Sequence, residues 1–311
     1  MDRGPTICVG VPVWCGSAFV AETLDSIRRQ HDVRFVVAIS IDGADAESER
    51  ACRPFLADPR FRLVVQPSRL GWVRNSAAVL AAALAEGTDY ACIQPHDDLL
   101  GEDYLTSLVE VAENAPAAIA VYSDLVPFGG RPSATLTQET VAGDPVRRQL
   151  SLLSKHFNAV AYRGLTRTSL LRRLPAISGN AFDDFAADTV WMARLATVGD
   201  LVRVPRALYQ KRYHADNTHS AWNTWPIERK ITAWKQHCLD MLAEAIKIAS
   251  DESARRSLFA AAERRLLQTE RRMGPCHNEI AALSRPDRRK LLDEFTIASA
   301  GLSINPKVRL A

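Results

Sequence analysis

What this 311-residue sequence lacks narrows its reading before any motif is considered. Its six cysteines (Cys8, Cys15, Cys52, Cys92, Cys238 and Cys276) show no Cys-x-x-Cys or zinc-finger spacing, which excludes a zinc ribbon and argues against a disulfide scaffold. Cys8 and Cys92 lie inside apolar runs, where a thiol behaves as a small hydrophobe, so a reducing cytosol is the expected compartment. No stretch approaches the ~20 apolar residues of a membrane span. The first five residues, Met1-Asp2-Arg3-Gly4-Pro5, do not start a secretory leader, and the expected localisation is cytoplasmic. Neither sign of charge is in large excess, with 39 Lys/Arg against 36 Asp/Glu. The net charge of +3 gives no support for a nucleic-acid partner. No internal repeat is visible, which removes solenoids and propellers.

What remains is an ordinary globular composition, 47% hydrophobic and 24% charged, in a chain long enough for one large domain with an appendage. Thr6–Val13, Arg34–Ile41, Phe61–Val65, Asp89–Ile93 and Ala117–Asp124 are short continuous apolar runs, the pattern of strands buried on both faces. Helical stretches separate them: about 17–30, with Ser17 as its expected cap, about 73–86, and one starting near Glu102. This alternation predicts an α/β fold with a mostly parallel sheet flanked by helices. Residues 125–145, rich in Gly, Pro, Ser and Thr, read as a surface loop. From Pro226 the pattern is helical, with a break at Gly274-Pro275, so the expected organisation is a catalytic domain over 1–225 and a helical C-terminal extension over 226–311. The extension carries 16 Lys/Arg against 11 Asp/Glu, while residues 1–225 balance at −2. A solvated basic face, a peripheral contact with an anionic membrane and a homodimer interface all fit such a tail.

The most informative stretch is Gln94-Pro95-His96-Asp97-Asp98, where the fourth strand runs out into a loop. In open α/β sheets ligands bind at the carboxyl ends of strands. Hard cations are held through one or two carboxylates plus substrate phosphates. Two other strands end in Trp14-Cys15 and Asp42-Gly43. An acidic loop that merely faces water, or a turn-capping aspartate, is the plainer explanation for each taken alone.

The order of these pieces resembles the family 2 glycosyltransferases, which have the GT-A fold, over about residues 6–219. Ile7–Val13 followed by Glu22-Thr23-Leu24-Asp25-Ser26-Ile27 is similar to that family's opening strand and helix. Ser40-Ile41-Asp42-Gly43 resembles its Asp-Asp-Gly-Ser turn, and Leu70-Gly71-Trp72-Val73-Arg74-Asn75 a shortened Leu-Gly-x-x-x-Arg-Asn. His96-Asp97-Asp98 falls where the family has its Asp-x-Asp metal motif. Phe182-Asp183-Asp184, Ala187-Asp188 and Trp191–Leu195 resemble its Glu-Asp helix, and Arg212-Tyr213-His214-Ala215-Asp216-Asn217 its closing Arg-Tyr-His-x-x-Asn. Two departures stand out. Pro95 replaces the first aspartate of the metal motif, and Ala187 the glutamate before the base.

The resemblance implies a metal-assisted, inverting glycosyltransferase, an enzyme of the hexosyltransferase type, moving a sugar from a nucleotide-diphosphate donor to an acceptor hydroxyl. A UDP-sugar is the favoured donor and Mn²⁺ or Mg²⁺ the implied cofactor. Pro12, Val13, Trp14, Asp42, Arg74 and Asp97 are the implied donor contacts. A carboxylate at Asp42 can accept the imide N–H of a pyrimidine, and the Trp14 indole can stack on a base. Asp97, Asp98 and His214 are the implied metal ligands, with a neutral imidazole suited to the third position. Asp188 is the first choice for general base, followed by Asp184 and Asp183. Against these stand a capping role for Asp188, a surface role for Arg74 and core packing for Trp14. Trp222 and Trp225 suit either acceptor stacking or anchoring of the C-terminal helices. The rival from another class is an inactive GT-A-like module that binds a nucleotide sugar or a protein partner, a reading that Pro95 and Ala187 favour. A nucleotidyltransferase is disfavoured, because Val13-Trp14-Cys15-Gly16-Ser17 is not a glycine-rich basic loop.

Overall fold

The computed structural model describes residues 4–130, 134–156, 159–215, 217–268 and 272–304; Asp216 of the closing motif lies outside them. Along the chain the elements are β1 (Thr6–Val13), α1 (Val20–Arg28), β2 (Arg34–Ile41), α2 (Ala46–Cys52), β3 (Phe61–Val65), α3 (Trp72–Ala85), β4 (Tyr90–Ile93), β5 (Leu99–Leu100), α4 (Tyr104–Asn114) and β6 (Ala118–Gly129). Then come α5 (Pro145–Ser154), β7 (Leu165–Arg167), α6 (Thr168–Leu171), α7 (Ala187–Val198), β8 (Asp200–Tyr213), α8 (Thr218–Asn223), α9 (Ile227–Ile246), α10 (Glu252–Leu267), α11 (His277–Ala281) and α12 (Arg285–Ala300). Two compact units result: 1–140 with 158–179 and 199–215, and 141–157 with 180–198 and 216–311.

The first unit holds one eight-stranded sheet in the order β3-β2-β1-β4-β7-β6-β8-β5. The pairs β1–β2, β1–β4, β2–β3 and β6–β8 are parallel, and β7 and β5 pair antiparallel to their neighbours. β1 lies near the middle and is covered on both faces, with Ile7, Val9, Val11 and Val13 buried on one and Cys8 and Gly10 on the other, which is why its sequence reads as a continuous apolar run. Gly10 lets α3 seat directly on it: a Cβ at that position would fall 2.5 Å from Val79 Cβ. α1 begins three residues later than expected. The Gly16 carbonyl takes the Phe19 and Val20 N–H groups (3.0 and 2.9 Å), so Ser17 is not its cap.

β6 and β8 depart most from the sequence reading. β6 runs through Gly129, five residues into the expected loop, and Leu125 also bridges to Leu136. Leu201–Val204 and Ala207–Tyr209, each strand-like in sequence, belong to one strand, β8. Its pairing jumps from Ser123–Val204 to Asp124–Ala207, so Pro205 and Arg206 bulge out of the ladder. That bulge keeps a proline, which has no N–H to donate, inside a strand without an orphaned acceptor opposite it.

The second unit is helical. The α9 face that carries Trp234, His237, Cys238, Met241, Leu242 and Ala245 is buried at helical spacing. Two buried arginines satisfy helix ends within the unit. Arg148 donates to the carbonyls of Ala196 (2.7 Å) and Thr197 (3.4 Å) at the end of α7, and Arg265 to those of Leu152 (3.2 Å) and Lys155 (3.0 Å) at the end of α5. Both place a cation where the helix dipole favours one. Arg194 and Glu244, both largely buried, pair α7 with α9 at 2.8 Å. Among the described residues no helix is long and apolar enough to cross a membrane.

Candidate functional site

The loop after β4 is built to turn its two aspartates in opposite directions. Gln94 N–H continues the ladder to the Gly10 carbonyl (2.8 Å), and the chain then turns back, Asp98 N–H donating to Pro95 O (3.3 Å). The Thr23 hydroxyl, buried on α1, shares a three-centre bond with the carbonyls of His96 (2.7 Å) and Asp98 (2.9 Å). Gln94 Nε2 reaches the Asp98 carbonyl at 3.0 Å. With the main chain fixed in this way, neighbouring side chains leave on opposite sides.

Asp98 points inward and is 1% exposed. Its carboxylate accepts from Arg163 Nε (3.1 Å), the Tyr209 hydroxyl (2.9 Å) and the Arg212 main-chain N–H (2.9 Å). Burial, with the Asp98 charge acting in the same sense, pushes the Tyr209 hydroxyl well above its usual range, so it stays a donor. Asp98, expected as a metal ligand, thus meets internal donors in this structure. Three internal donors hold both its oxygens, and its work is to fasten β8 to the loop.

Asp97 points the other way. Its Oδ2 lies 2.9 Å from His214 Nε2, just beyond the end of β8, and the two side chains are 15% and 19% exposed. Burial acts to raise the Asp97 pKa, but the nearby His96, the bond from His214 and Lys211 outweigh it and hold the carboxyl below the usual range. The Phe19 ring packs on His214 at 4.8 Å between centroids. Sequence spacing of 117 residues thus closes to a hydrogen bond, which brings together two of the three expected ligands. Among the described residues no three His, Cys, Asp or Glu side chains converge on one point.

The expected donor contacts lie on neighbouring strand ends. Pro12, Val13 and Trp14 finish β1, and the Arg69 guanidinium stacks on the Trp14 indole at 4.2 Å. Asp42 is 1% exposed, and its two oxygens accept from the Leu70 and Gly71 N–H groups, the latter at 3.0 Å. It therefore ties the end of β2 to the loop before α3, while each oxygen keeps a second lone-pair direction. Gly43, in a left-handed conformation (φ +81°), is needed under that loop, because a Cβ would meet Arg69 N at 3.0 Å. Arg74 is exposed in the first turn of α3 and makes no ion pair or hydrogen bond among the described residues.

The base candidates belong to the second unit. Asn180 organises their turn: its main-chain N–H donates to Asp184 Oδ1 (3.0 Å), its side-chain oxygen accepts from Phe182 N–H (2.9 Å), and its amide donates to the Phe185 carbonyl (2.9 Å). Asp183, Asp184 and Ala186 all adopt left-handed conformations, with φ of 48°, 58° and 50°. Such residues each cost about 1–3 kcal/mol and cluster at functional sites. Asp183 is exposed and paired with Arg229 (2.7 Å), whose guanidinium covers Trp225 (4.1 Å). Trp222 and Trp225 both pack on buried Phe185, at 4.8 and 5.8 Å, so they anchor this turn. Asp188 lies in the first turn of α7, one residue inside its start and not at the cap, where the helix dipole favours a carboxylate. Its Oδ1 accepts from Thr189 N–H at 2.8 Å.

Three residues that sequence reasoning left without a role shape these loops: His96, whose ring lies against Gly16; Arg69, whose guanidinium stacks on Trp14; and Arg212, whose Nε donates to the Asp97 carbonyl. The alternation that puts Arg212 and His214 on one side of a strand was the signal available for the last.

Comparison with known proteins bears on the family and the fold. The profile of Glycosyl transferase family 2 matches residues 8–174. The chain is 32% identical over 129 residues to the uncharacterised protein y4gI of Sinorhizobium fredii, a match that spans 40% of this chain and 14% of that protein. In fold it is similar to S. aureus TarS 1–349 in complex with UDP-GlcNAc, at a TM-score of 0.59 and 12% identity, covering 96% of this chain and 89% of that one. It is also similar to the mannosyltransferase PcManGT from Pyrobaculum calidifontis in complex with GDP-Man and Mn²⁺, at 0.55 and 18%, covering 99% and 91%.

Proposed function

Because this chain belongs to glycosyl transferase family 2 and has the GT-A fold, we propose that it transfers a sugar from a nucleotide-diphosphate donor to an acceptor hydroxyl, with inversion at the anomeric carbon. The observation that carries this reading is the Asp97–His214 pair at the carboxyl end of β4, the one carboxylate of the loop turned outward. A UDP-sugar is the favoured donor; GDP-Man and UDP-GlcNAc are the donors in the two similar structures.

The pair fits a divalent cation. A carboxylate held ionised beside an imidazole is a donor set suited to such an ion. One carboxylate and one imidazole leave the remaining positions to phosphate oxygens and water, the usual arrangement for such an ion. Asp97 and His214 would hold it, and when bound it would neutralise charge developing on the leaving diphosphate. The chain's own residues do the rest. Asp97 stays ionised because His96, His214 and Lys211 outweigh its burial. Trp14 offers an indole face to the base, a contact of roughly 1–3 kcal/mol by analogy with base–aromatic stacking. Asp42 holds the loop that leads into α3, whose first turn carries Arg74, and that exposed cation suits a diphosphate or ribose. Asp188 takes the proton of the attacking hydroxyl, with Asp184 and Asp183 as the next candidates. Direct displacement with base and leaving group on opposite faces of the sugar gives inversion.

Pro95 and Ala187 keep a second reading in play, an inactive module that binds a nucleotide sugar or a protein partner. Incubation with UDP-, GDP- and dTDP-sugars, with Mn²⁺ or with EDTA, separates the two: the enzyme releases nucleotide from one donor in a metal-dependent way. Thermal stabilisation by a nucleotide without turnover of any donor supports the module. With an active donor in hand, Asp188→Asn is expected to keep donor affinity and lose transfer by 10²-fold or more, on the order expected for a general base. Full transfer by that variant moves the base to Asp184 or Asp183.

A further inference from the structure

Arg212 is placed where one side chain can govern the whole Asp97–His214 arrangement. Its main-chain N–H donates to the Asp98 carboxylate and its Nε to the Asp97 carbonyl, each at 2.9 Å, so it grips the aspartate dipeptide at two points. Its guanidinium lies against two aromatic rings, 4.7 Å from the Phe19 centroid and 4.5 Å from that of Phe128. A terminal nitrogen also pairs with Glu22 on α1. A planar cation can stack on rings while its edge donates in the plane, which is the property that separates arginine from lysine. Phe19 is the shared part: the ring that stacks on Arg212 also packs on the His214 imidazole at 4.8 Å.

From this geometry we infer that Arg212 is a positioning residue, holding the Asp97 carboxylate and the His214 ring in the orientation that receives a divalent cation with a nucleotide diphosphate. The role rests on the reading of that pair given above. Fixing the Asp97 carbonyl sets the direction of its side chain, and fixing Phe19 sets the face of His214. Arg212 does both without itself facing the ligand. Partners of this kind, one shell behind the ligands, change metal affinity by about 10–100-fold when removed.

The test measures Mn²⁺ affinity in the presence of UDP, by the electron paramagnetic resonance signal of free Mn²⁺. In parallel, the His214 ring resonances are recorded in metal-free protein. Arg212→Gln is expected to weaken Mn²⁺ binding about 10–100-fold and to shift the His214 resonances. Arg212→Lys, which keeps a stacked charge and loses the fork, is expected to fall between wild type and Arg212→Gln. Arg206→Gln removes another arginine of β8, one bonded to Ser107 and Asp103, and should change neither readout. If Arg212→Gln does not fold, Glu22→Ala removes only the outer anchor, at a side chain 63% exposed, and should weaken Mn²⁺ binding several-fold. Wild-type Mn²⁺ affinity together with unmoved His214 resonances in folded Arg212→Gln overturns the proposal, as does an equal effect of Arg206→Gln. Absence of Mn²⁺ binding by the wild-type protein, with His214 still displaced in Arg212→Gln, defeats the metal reading of the pair and leaves the positioning role standing.

Discussion

The opposite tasks proposed for two adjacent aspartates follow from their surroundings: three internal donors hold Asp98, whereas Asp97 meets His214 and keeps 15% of its side chain exposed. Asp98→Ala leaves the Arg163 guanidinium, only 13% exposed, without its carboxylate, and the cost of breaking such a buried pair is about 3–5 kcal/mol. Urea denaturation is expected to show that loss. Asp97→Ala should unfold near the wild-type midpoint while its Mn²⁺-dependent nucleotide affinity drops about 100-fold or more, measured by calorimetry. An Asp98→Ala protein of unchanged stability that loses only metal binding would reverse the two assignments. The sequence placed both carboxylates at the end of a buried strand. Which of them faces inward was not legible, because that depends on Arg163, Tyr209 and Arg212, 65 to 114 residues away in the chain. Asp42 was read correctly as the end of β2, but its bonds to the Leu70 and Gly71 N–H groups arise from a loop geometry that no spacing encodes.

At the scale of elements, the strands and helices of the first unit were legible because burial on both faces leaves unbroken apolar runs and the helices between them keep a 3.6-residue stripe. β8 was not, since Pro205 interrupts it and only the bulge opposite Ser123 and Asp124 makes a 14-residue strand of it. The contact of α3 with β1 at Gly10 gives a direct check. Gly10→Ala must push Val79 away, because its Cβ and Cγ2 lie 2.5 and 2.6 Å from the new methyl, and overpacking of this kind costs about 1–3 kcal/mol. Val79→Ala in the same chain should recover part of that loss, and strict additivity of the two changes would show that they do not meet. In the second unit, His237 is stacked on Trp234 (5.1 Å), lies edge-on to Phe185 (6.3 Å), and is 2% exposed. Burial, helped by Arg265, holds its pKa well below the ordinary value, so the folded chain keeps it neutral. The unfolded chain takes up a proton below about pH 6.5, and the stability tied to this group is complete above that pH. It then declines as pH falls toward the folded-state pKa, with a slope of up to ~1.4 kcal/mol per pH unit. Unfolding measured at pH 8, 6 and 5 should show this slope reduced by that amount in His237→Phe; equal slopes in the two proteins would remove His237 as the source.

At the scale of the whole molecule, the linear division at 225/226 and the division in space are separate matters, and one experiment joins them. The chain passes between its two units five times, and the helical unit draws α5 and α7 from before Trp225 as well as everything after Asp216. α7 is the helix whose first turn holds Asp188, and its partners include α9: Arg194 pairs with Glu244, and the turn preceding it rests through Phe185 on Trp222, Trp225 and His237. A fragment ending at Trp225 retains the sheet, the Asp97–His214 pair and the two tryptophans, but it removes α9, α10 and the cap that Arg265 gives to α5. Trp191, Met192, Leu195 and Ala196, all 3% exposed or less in the intact chain, would then lose the packing of their own unit. The fragment 1–225 is therefore expected to be cut by protease within 141–157 and 180–198 while the sheet segments resist, and to lose transfer while keeping measurable Mn²⁺ and nucleotide binding. Helix content lower than the 311-residue chain by more than the deleted residues account for, measured by circular dichroism, would accompany it. If the fragment instead resists cleavage at α5 and α7 and retains transfer, residues 226–311 are an appendage to a self-sufficient catalytic domain, and the support assigned here to α9 is wrong.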